Sequence, residues 1–310
     1  MATNATRPQS GYDLPVYGLA EGLLYSIHVP ALFCIALSLV CVVCTIAWSV
    51  HCNWTVGRVR FFHWTQGERN IVYLAVCDGG FNLVHLFDHA QYLWYADHVR
   101  PAWLCSLYSF VISEFIAAQH LLVNLIAVSA CVTIHRERTV RFGRCDWKLL
   151  AYTFGGSLVL DVLCLAVGAY GPTGSFCYFD PVSGVLAHIL LSVAPLVIFF
   201  SANVIVYILT YRKIYQEEKK HAQVLCQASS TAASSASRAA RTSMLFVSAF
   251  FVQWWSSVVW GVWQLLEPPP LIMHQFATTF CNIGGVLNFG VFFLLRRSQP
   301  TVPAGTAYQT

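Results

Sequence analysis

Residues 23–50 read LLYSIHVPALFCIALSLVCVVCTIAWSV, a continuous apolar stretch that contains no Lys or Arg. A helix needs about 20 residues to cross about 30 Å of hydrocarbon, so this stretch is long enough to span a membrane. Six more such stretches follow, at residues 71–94, 103–134, 149–170, 184–211, 243–266 and 272–295. None of the eighteen Lys and Arg residues lies in any of the seven. The sequence therefore predicts an all-α membrane protein, a bundle of seven transmembrane helices.

The composition of the whole chain supports this interpretation. Hydrophobic residues make up 57% of the sequence and charged residues only 10%. An ordinary soluble domain carries about 25% charged residues, so the composition excludes that class. The lipid bilayer is therefore the first partner that the sequence predicts.

The basic residues predict the orientation of the bundle. The first, third and fifth loops and the C-terminal tail hold 3, 5, 6 and 2 of the Lys and Arg residues. The N-terminal tail and the second loop hold one each, and the other two loops hold none. Positive charges concentrate on the cytoplasmic side of membrane proteins, so the N-terminus is predicted outside and the C-terminus inside. This divides the chain into an extracellular tail (1–22), a transmembrane domain (23–297) and a cytoplasmic tail (298–310).

Two glycosylation sequons differ in their predicted side. Asn4 begins one sequon in the outside tail, where a glycan can be added. Asn53 begins another, in a loop that we place in the cytosol, where it should stay bare. The first twenty residues are polar and lack the apolar core of a signal peptide, so we expect the first span to direct its own insertion.

Two of the twelve cysteines lie on the predicted outer face. Cys105 begins the third span, and Cys177 lies in the loop that follows the fourth. Disulfides form in oxidising surroundings, so a bridge between them is expected and would hold this loop over the third helix. The alternative is two free thiols.

Seven spans, an outside N-terminus and this cysteine pair together resemble the G protein-coupled receptors. Residues 132–138 read VTIHRER, without the Asp-Arg-Tyr of rhodopsin-like receptors, and the seventh span lacks their Asn-Pro-x-x-Tyr. The sequences Phe176-Cys177-Tyr178 and Gly285-Val286-Leu287-Asn288 are more similar to the cyclic-AMP-receptor-like group, which is akin to secretin-type receptors. The resemblance implies an extracellular ligand, a heterotrimeric G protein partner, the plasma membrane and no enzymatic activity. No cofactor, bound metal or nucleic-acid partner is expected.

Polar side chains within the spans provide candidate site residues. Ionisable groups in a bilayer are costly and usually face the bundle interior. In the outer halves we predict a ligand-binding cluster of His85, Asp88, His89, Glu114, Asp161 and His188. In the inner and middle parts we predict a switch network of Asp78, Asn124, Asn203 and Asn288. The alternative is that these groups only hold the helices together.

The resemblance also implies a surface that contacts the G protein, which we place on the third and fifth loops. The predicted contacts are Arg136 and Arg138 after the third span and Ile214 after the fifth. Residues 228–240 are rich in Ser and Ala and are predicted to be flexible. The alternative is that the basic residues of these loops only set the orientation.

Other membrane functions fit less well. An opsin needs a Lys in a span to form its retinal Schiff base, and no span contains one. A secondary transporter would show repeats and broken helices, which we do not expect here. The main alternative is an intramembrane zinc hydrolase, because His85 and His89 at i, i+4 could both bind zinc.

Overall fold

The computed structural model describes residues 8–136, 138, 140–224 and 231–297. The spans, labelled α1 to α7, include four continuous helices: α1 Leu24–Thr55, α2 Gln66–Tyr95, α3 Ala102–Arg136 and α6 Thr231–Gln264. Three spans consist of more than one segment: α4 is Trp147–Leu150, Ala151–Gly155 and Gly156–Ala166; α5 is Val185–Ala187, His188–Val193 and Ala194–Val224; α7 is Leu271–Cys281 and Gly284–Arg297. Ala151–Gly155 and His188–Val193 are π-helical. Short 3₁₀ turns lie at Gly11–Asp13, Phe61–His63 and Arg144–Asp146.

The lengths and compositions of these helices fit a multi-pass membrane protein. Six helices are long and apolar enough to cross a bilayer, and the two halves of α7 together make a seventh. The predicted seven-helix bundle is thus confirmed. Around its centre, α3 contacts α2, α4, α5 and α6, while α7 packs against α1, α2 and α6.

Contrary to the expectation from the sequence, one span is broken. The two halves of α7 are bent by 42° relative to each other. Carbonyl groups released at such a break need partners in a bilayer. The Ser38 hydroxyl donates to the Asn282 carbonyl at 2.5 Å, and the Gln253 amide donates to the Cys281 carbonyl at 2.9 Å. Side chains of α1 and α6 therefore satisfy the break, which the local sequence of α7 did not reveal.

The π-helical turn of α5 has a local cause. His188–Val193 ends two residues before Pro195. The proline nitrogen carries no proton and cannot donate to the carbonyl of Leu191. A turn of wider pitch is a common way for a helix to accommodate such a gap.

One end of the bundle is covered by a β-hairpin after α4. Strands β1 (Tyr170–Pro172) and β2 (Cys177–Phe179) pair antiparallel, with Pro172 opposite Cys177. Cys177 forms a disulfide with Cys105, which confirms the predicted bridge. We call this the disulfide end of the bundle, and the other the basic end.

The N-terminal segment packs onto this hairpin. The Gly11 N–H donates to Asp180 Oδ2 at 2.8 Å, and the Tyr17 N–H donates to the Gly174 carbonyl at 2.9 Å. A Cβ on Gly11 would lie 2.2 Å from the Pro172 carbonyl oxygen, so only glycine fits there. Residues 10–22 are therefore a structured cover. The division of the chain at residues 22 and 297 stays a prediction.

At the basic end, an ion pair joins α2 to the turn before α4. Arg69 at the start of α2 pairs with Asp146 at 2.5 Å, and the Tyr73 hydroxyl donates to the same carboxylate at 3.1 Å. Both partners of the ion pair are largely buried, which ties the loop before α4 to α2. Residues 231–240 belong to α6 and are helical, so the prediction of a flexible segment was wrong there; residues 228–230 lie outside the described part of the chain.

Candidate functional site

A cavity of about 50 Å³ lies beneath the hairpin at the disulfide end. Side chains from α2, α3, α5, α6 and α7 form its wall, and the hairpin forms its roof. A buried site needs about 10–15 Å³ of such volume to hold one water, so this cavity has room for more than a single water molecule. Its aromatic and imidazole lining consists of Phe81, His85, His120, Phe176, Tyr178, His188, Trp254 and Trp260.

Two of the six residues of the predicted ligand cluster line this cavity. His85 of α2 packs against Phe81, with ring centroids 4.4 Å apart. His188 of α5 stacks on Phe179 of the hairpin at 5.6 Å. The π-helical turn that contains His188 therefore presents it to both the cavity and the roof.

The hairpin supplies the roof through alternate residues. Phe176 and Tyr178 both line the cavity. The Tyr178 hydroxyl forms a hydrogen bond of 3.0 Å with that of Ser192 on α5. Burial raises the pKa of Tyr178, which keeps this hydroxyl neutral at physiological pH. The roof is thus attached to α5 by a neutral hydrogen bond and to α3 by the disulfide.

Asp88 holds the hairpin from below and does not line the cavity. Its Oδ2 accepts a hydrogen bond of 2.9 Å from the backbone N–H of Cys177. The Asp88 side chain is fully buried. Its hydrogen bond and the disulfide both hold Cys177 of β2. The position of Asp88 favours a structural role.

Asp161 and Glu114 lie together on the α3–α4 side of the bundle. Asp161 Oδ1 accepts hydrogen bonds from Ser113 at 2.8 Å and from the Tyr170 hydroxyl of β1 at 2.7 Å. The carboxyl group of Glu114 lies close enough to that of Asp161 for the two to interact electrostatically. These contacts join α3, α4 and the hairpin, and the pair also lies outside the cavity wall. Ligand binding by Asp88, Glu114 and Asp161 stays a prediction.

His89 forms a hydrogen bond with His28, which was not among the predicted site residues. His89 Nδ1 lies 2.7 Å from His28 Nδ1 of α1, and both rings are fully buried. His28 also stacks on Tyr92 at 5.4 Å. One imidazole must donate and the other accept, so this contact requires that at least one of the two rings be neutral. The pair joins α1 to α2 beside the cavity.

Below the cavity, Asp78 is the centre of a buried hydrogen-bond network. Asn288 of α7 donates to its Oδ2 at 2.6 Å, and Gln119 of α3 donates to its Oδ1 at 2.8 Å. Gln119 also donates to Gln253 of α6 at 3.1 Å. The structure thus brings together two residues of the predicted switch network, Asp78 and Asn288. The other two form a separate pair, in which Asn124 of α3 donates to Asn203 of α5 at 3.1 Å.

The network and the cavity meet at α6 and α7. Gln253 belongs to the network, and the next residue, Trp254, lines the cavity. Cys281 also lines the cavity, while its carbonyl accepts the hydrogen bond from Gln253 at the break in α7. Trp254 and Cys281 of the cavity wall therefore both adjoin Gln253, which is linked to Asp78 through Gln119.

The predicted G protein contacts differ in exposure. Arg136 and Arg138 are exposed at the basic end. Ile214 is buried against Ala130 of α3 and Met244 of α6. A partner can reach Ile214 only if α6 moves away from α3 and α5. Asn4 lies outside the described residues, and Asn53 is buried within the last turns of α1, not in a loop as the sequence suggested.

The described residues hold no group of three His, Cys, Asp or Glu side chains arranged to bind a metal ion. His85 and His89 are 5.1 Å apart between ring centroids, and His89 Nδ1 is already engaged by His28. A catalytic zinc site uses three protein ligands and an open position. The zinc hydrolase alternative therefore gains no support from the geometry.

Several residues that line the cavity, Trp254 and Trp260 among them, were not among the predicted ligand-binding residues. Trp near the end of a span commonly lies at the membrane interface, but Trp260 is buried and contacts Phe176 of the roof at 5.9 Å. Trp254 packs against His120 at 4.7 Å between ring centroids. Trp fits an interfacial belt as well as a cavity, so residue type alone could not separate the two. By contrast, Trp94 and Trp103 are exposed, as an interfacial position requires.

Comparison with known proteins identifies the fold. The crystal structure of squid rhodopsin is similar to this structure, with a TM-score of 0.67 and 16% sequence identity. The matched region covers 89% of the present chain and 84% of the rhodopsin chain. The two share a seven-helix bundle. No family model and no curated protein matches the sequence. At this identity the likeness concerns the fold alone.

Proposed function

We propose that this protein is a G protein-coupled receptor of the cell membrane. In this proposal the disulfide end faces outward and binds an extracellular ligand, and the basic end faces the cytoplasm and contacts a heterotrimeric G protein. The rhodopsin-like bundle supports it, and so does the bias of Lys and Arg towards the basic end. The chain itself performs no catalytic step. The assignment to the cyclic-AMP-receptor-like group rests on short motifs and is part of the proposal.

One observation carries the proposal: the cavity is in contact with a hydrogen-bond network that joins four helices. Gln253 of α6 links the cavity floor at Cys281 to Asp78 of α2 through Gln119 of α3. A ligand can shift a conformational equilibrium only if it interacts differently with the two states. An occupant that displaces Trp254 changes the position of Gln253, so occupancy and helix arrangement are coupled.

The described arrangement is the closed one. Ile214, Ala130 and Met244 pack together at the basic end, so α3, α5 and α6 are in contact there. Removal of a buried hydrogen bond costs about 1–3 kcal/mol. Such an energy changes the ratio of two states by about 5- to 150-fold. Weakening the network should therefore favour the open state and raise activity without ligand.

This expectation provides a test that needs no identified ligand. The full chain and its Gln253→Leu variant are expressed at matched surface levels in cells that carry resonance-energy-transfer sensors for each Gα class. Gln253→Leu should raise basal dissociation of at least one G protein. Adding Arg136→Ala to it should abolish the rise, because Arg136 is exposed at the proposed contact.

The matched control is Arg100→Ala, which removes an exposed cation at the disulfide end. It should leave the raised signal unchanged. A Gln253→Leu variant that reaches the surface and moves no G protein sensor would contradict the receptor function. Equal loss in Arg136→Ala and Arg100→Ala would show that the basic end is not the contact.

A further inference from the structure

The wall of the cavity lacks a counter-charge for an ionic ligand. Among the described residues, no Asp, Glu, Lys or Arg lines it. The acidic groups nearby are engaged elsewhere: Asp161 accepts from Ser113 and Tyr170, and Asp88 accepts from the Cys177 N–H. Burying an unpaired charge is far more costly than burying a neutral polar group. The cavity therefore favours neutral molecules.

The wall nevertheless holds unused hydrogen-bonding capacity. The Nε1 atoms of Trp254 and Trp260 are buried and find no partner among the described residues, and the same holds for both ring nitrogens of His85. An indole N–H can only donate. Buried polar groups normally have partners, and each unmet one costs about 1–3 kcal/mol. An acceptor oxygen on the occupant would provide the partner that these donors lack.

The aqueous side of the cavity is covered twice. The hairpin forms the roof, and all residues from 169 to 180 except Phe176 are buried. Above it, the Tyr17 ring lies 4.0 Å from that of His274, and the Tyr17 N–H is bonded to Gly174. Burial raises the pKa of Tyr17, so this cover stays neutral. A water-borne ligand would have to open both layers.

Towards the bilayer, the cavity is bounded by the contact between α5 and α6. At the contact between α5 and α6, Gly261 faces Val193, and Ser257 lies one turn away on the same face of α6. The outward neighbours Val259 and Val262 are exposed on the surface that would contact lipid. Small side chains at this contact leave little to displace for a molecule dissolved in the membrane.

We propose that the cavity binds a neutral, lipophilic small molecule that carries a hydrogen-bond acceptor oxygen and reaches the site from the bilayer. This inference deepens the proposed receptor function and rests on it. The apolar, aromatic wall holds the body of the molecule, and the indole N–H groups of Trp254 and Trp260 bind its oxygen. Amines, carboxylates and peptides with charged termini are disfavoured, because no Asp, Glu, Lys or Arg among the described residues lines the wall.

Four probes with the same two-ring body test the chemistry. They are benzophenone, a neutral acceptor; diphenylmethane, which lacks the oxygen; aminodiphenylmethane, a cation; and diphenylacetate, an anion. Saturable binding of each radiolabelled probe is measured on the purified full chain in lipid nanodiscs. Benzophenone should bind most tightly, and both charged probes at least tenfold more weakly than benzophenone.

Variants separate the cavity from the surrounding lipid. Ser257→Trp fills the cavity and should abolish saturable benzophenone binding, whereas Val259→Trp, two residues away on the exposed face, should not. Ser257→Leu is a smaller filling that serves if the Trp variant fails to fold. Trp260→Phe keeps the ring and removes the N–H, so it should lower benzophenone affinity towards that of diphenylmethane.

The outcomes decide between the proposals. Binding of either charged probe as tightly as benzophenone would overturn the inference, and so would the absence of saturable benzophenone binding to the wild-type chain. Equal binding to Ser257→Trp and Val259→Trp would place the probe outside the cavity and also overturn it. The G protein sensors report separately. Specific binding without any sensor response to Gln253→Leu would refute the receptor function and leave the ligand class standing.

Discussion

Substitution of Gly284 by Ala tests the junction between cavity and network. A Cβ on Gly284 would lie 2.2 Å from Asp78 Oδ1 and 2.3 Å from Gln253 Nε2, whereas ordinary contacts are 3.4–4 Å. The helix must therefore move by about 1 Å, or the two side chains must separate. Either change strains the hydrogen bonds that Gln119 makes to Asp78 and to Gln253.

The magnitude follows from these contacts. Overpacking a close-fitting interior costs about 1–3 kcal/mol, and a buried polar group that loses its partner costs about 1–3 kcal/mol. One such loss together with the overpacking gives about 2–6 kcal/mol. At about 2.1 cal/mol/K per residue, the unfolding entropy of this 310-residue chain is roughly 650 cal/mol/K, so Gly284→Ala should lower the thermal midpoint by about 3–9 °C.

Gly290→Ala is the matched control, because this glycine lies in the same half of α7 with nothing within 4 Å of its added Cβ. Ala is favoured over Gly in a helix by about 1 kcal/mol, so this variant should be neutral or slightly more stable. The measurement is intrinsic Trp fluorescence of the purified full chain during heating in one detergent. Equal midpoints for the two variants would refute the close contact of α7 with Asp78.

Three further outcomes are expected. Cys105→Ser and Cys177→Ser should each lower surface expression to a similar degree, and the double variant should lower it little further, as flow cytometry with a surface antibody will show. Asp88→Ala should lower surface expression in the same assay, because it removes the acceptor of the Cys177 N–H; wild-type expression of this variant would argue against a structural role. Asn4→Gln should increase gel mobility to that of glycosidase-treated wild-type protein, and an untreated wild-type protein that already migrates at this position would show that the sequon is unused.

Much of the fold was accessible from the sequence. Seven apolar stretches free of Lys and Arg predicted the seven helices, because an apolar helix of about 20 residues pairs its backbone groups internally and is long enough to cross a bilayer. The cysteine pair was also found correctly, since only Cys105 and Cys177 lie on the predicted outer face. These features depend on local composition and on which side of the membrane a loop lies.

The roles of individual polar residues were less accessible. His85 and His89 share one face of α2 by their spacing, yet His85 lines the cavity and His89 pairs with His28 of α1. Periodicity shows which residues share a helix face, but not which helix lies opposite that face. The same limit applies to Asp88, whose partner is a backbone N–H on a hairpin 89 residues away.

The sequence by itself determined the number of spans, their approximate lengths and the disulfide, because hydrophobicity and charge act on each segment independently. Only the tertiary structure decided the cavity, the break in α7 and the network around Asp78. The Ser38 hydroxyl of α1 donates to the Asn282 carbonyl, 244 residues later in the chain. No sequence pattern within α1 indicates this partner. Such contacts arise because a polar group buried in a bilayer must find its partner on whichever helix packs beside it.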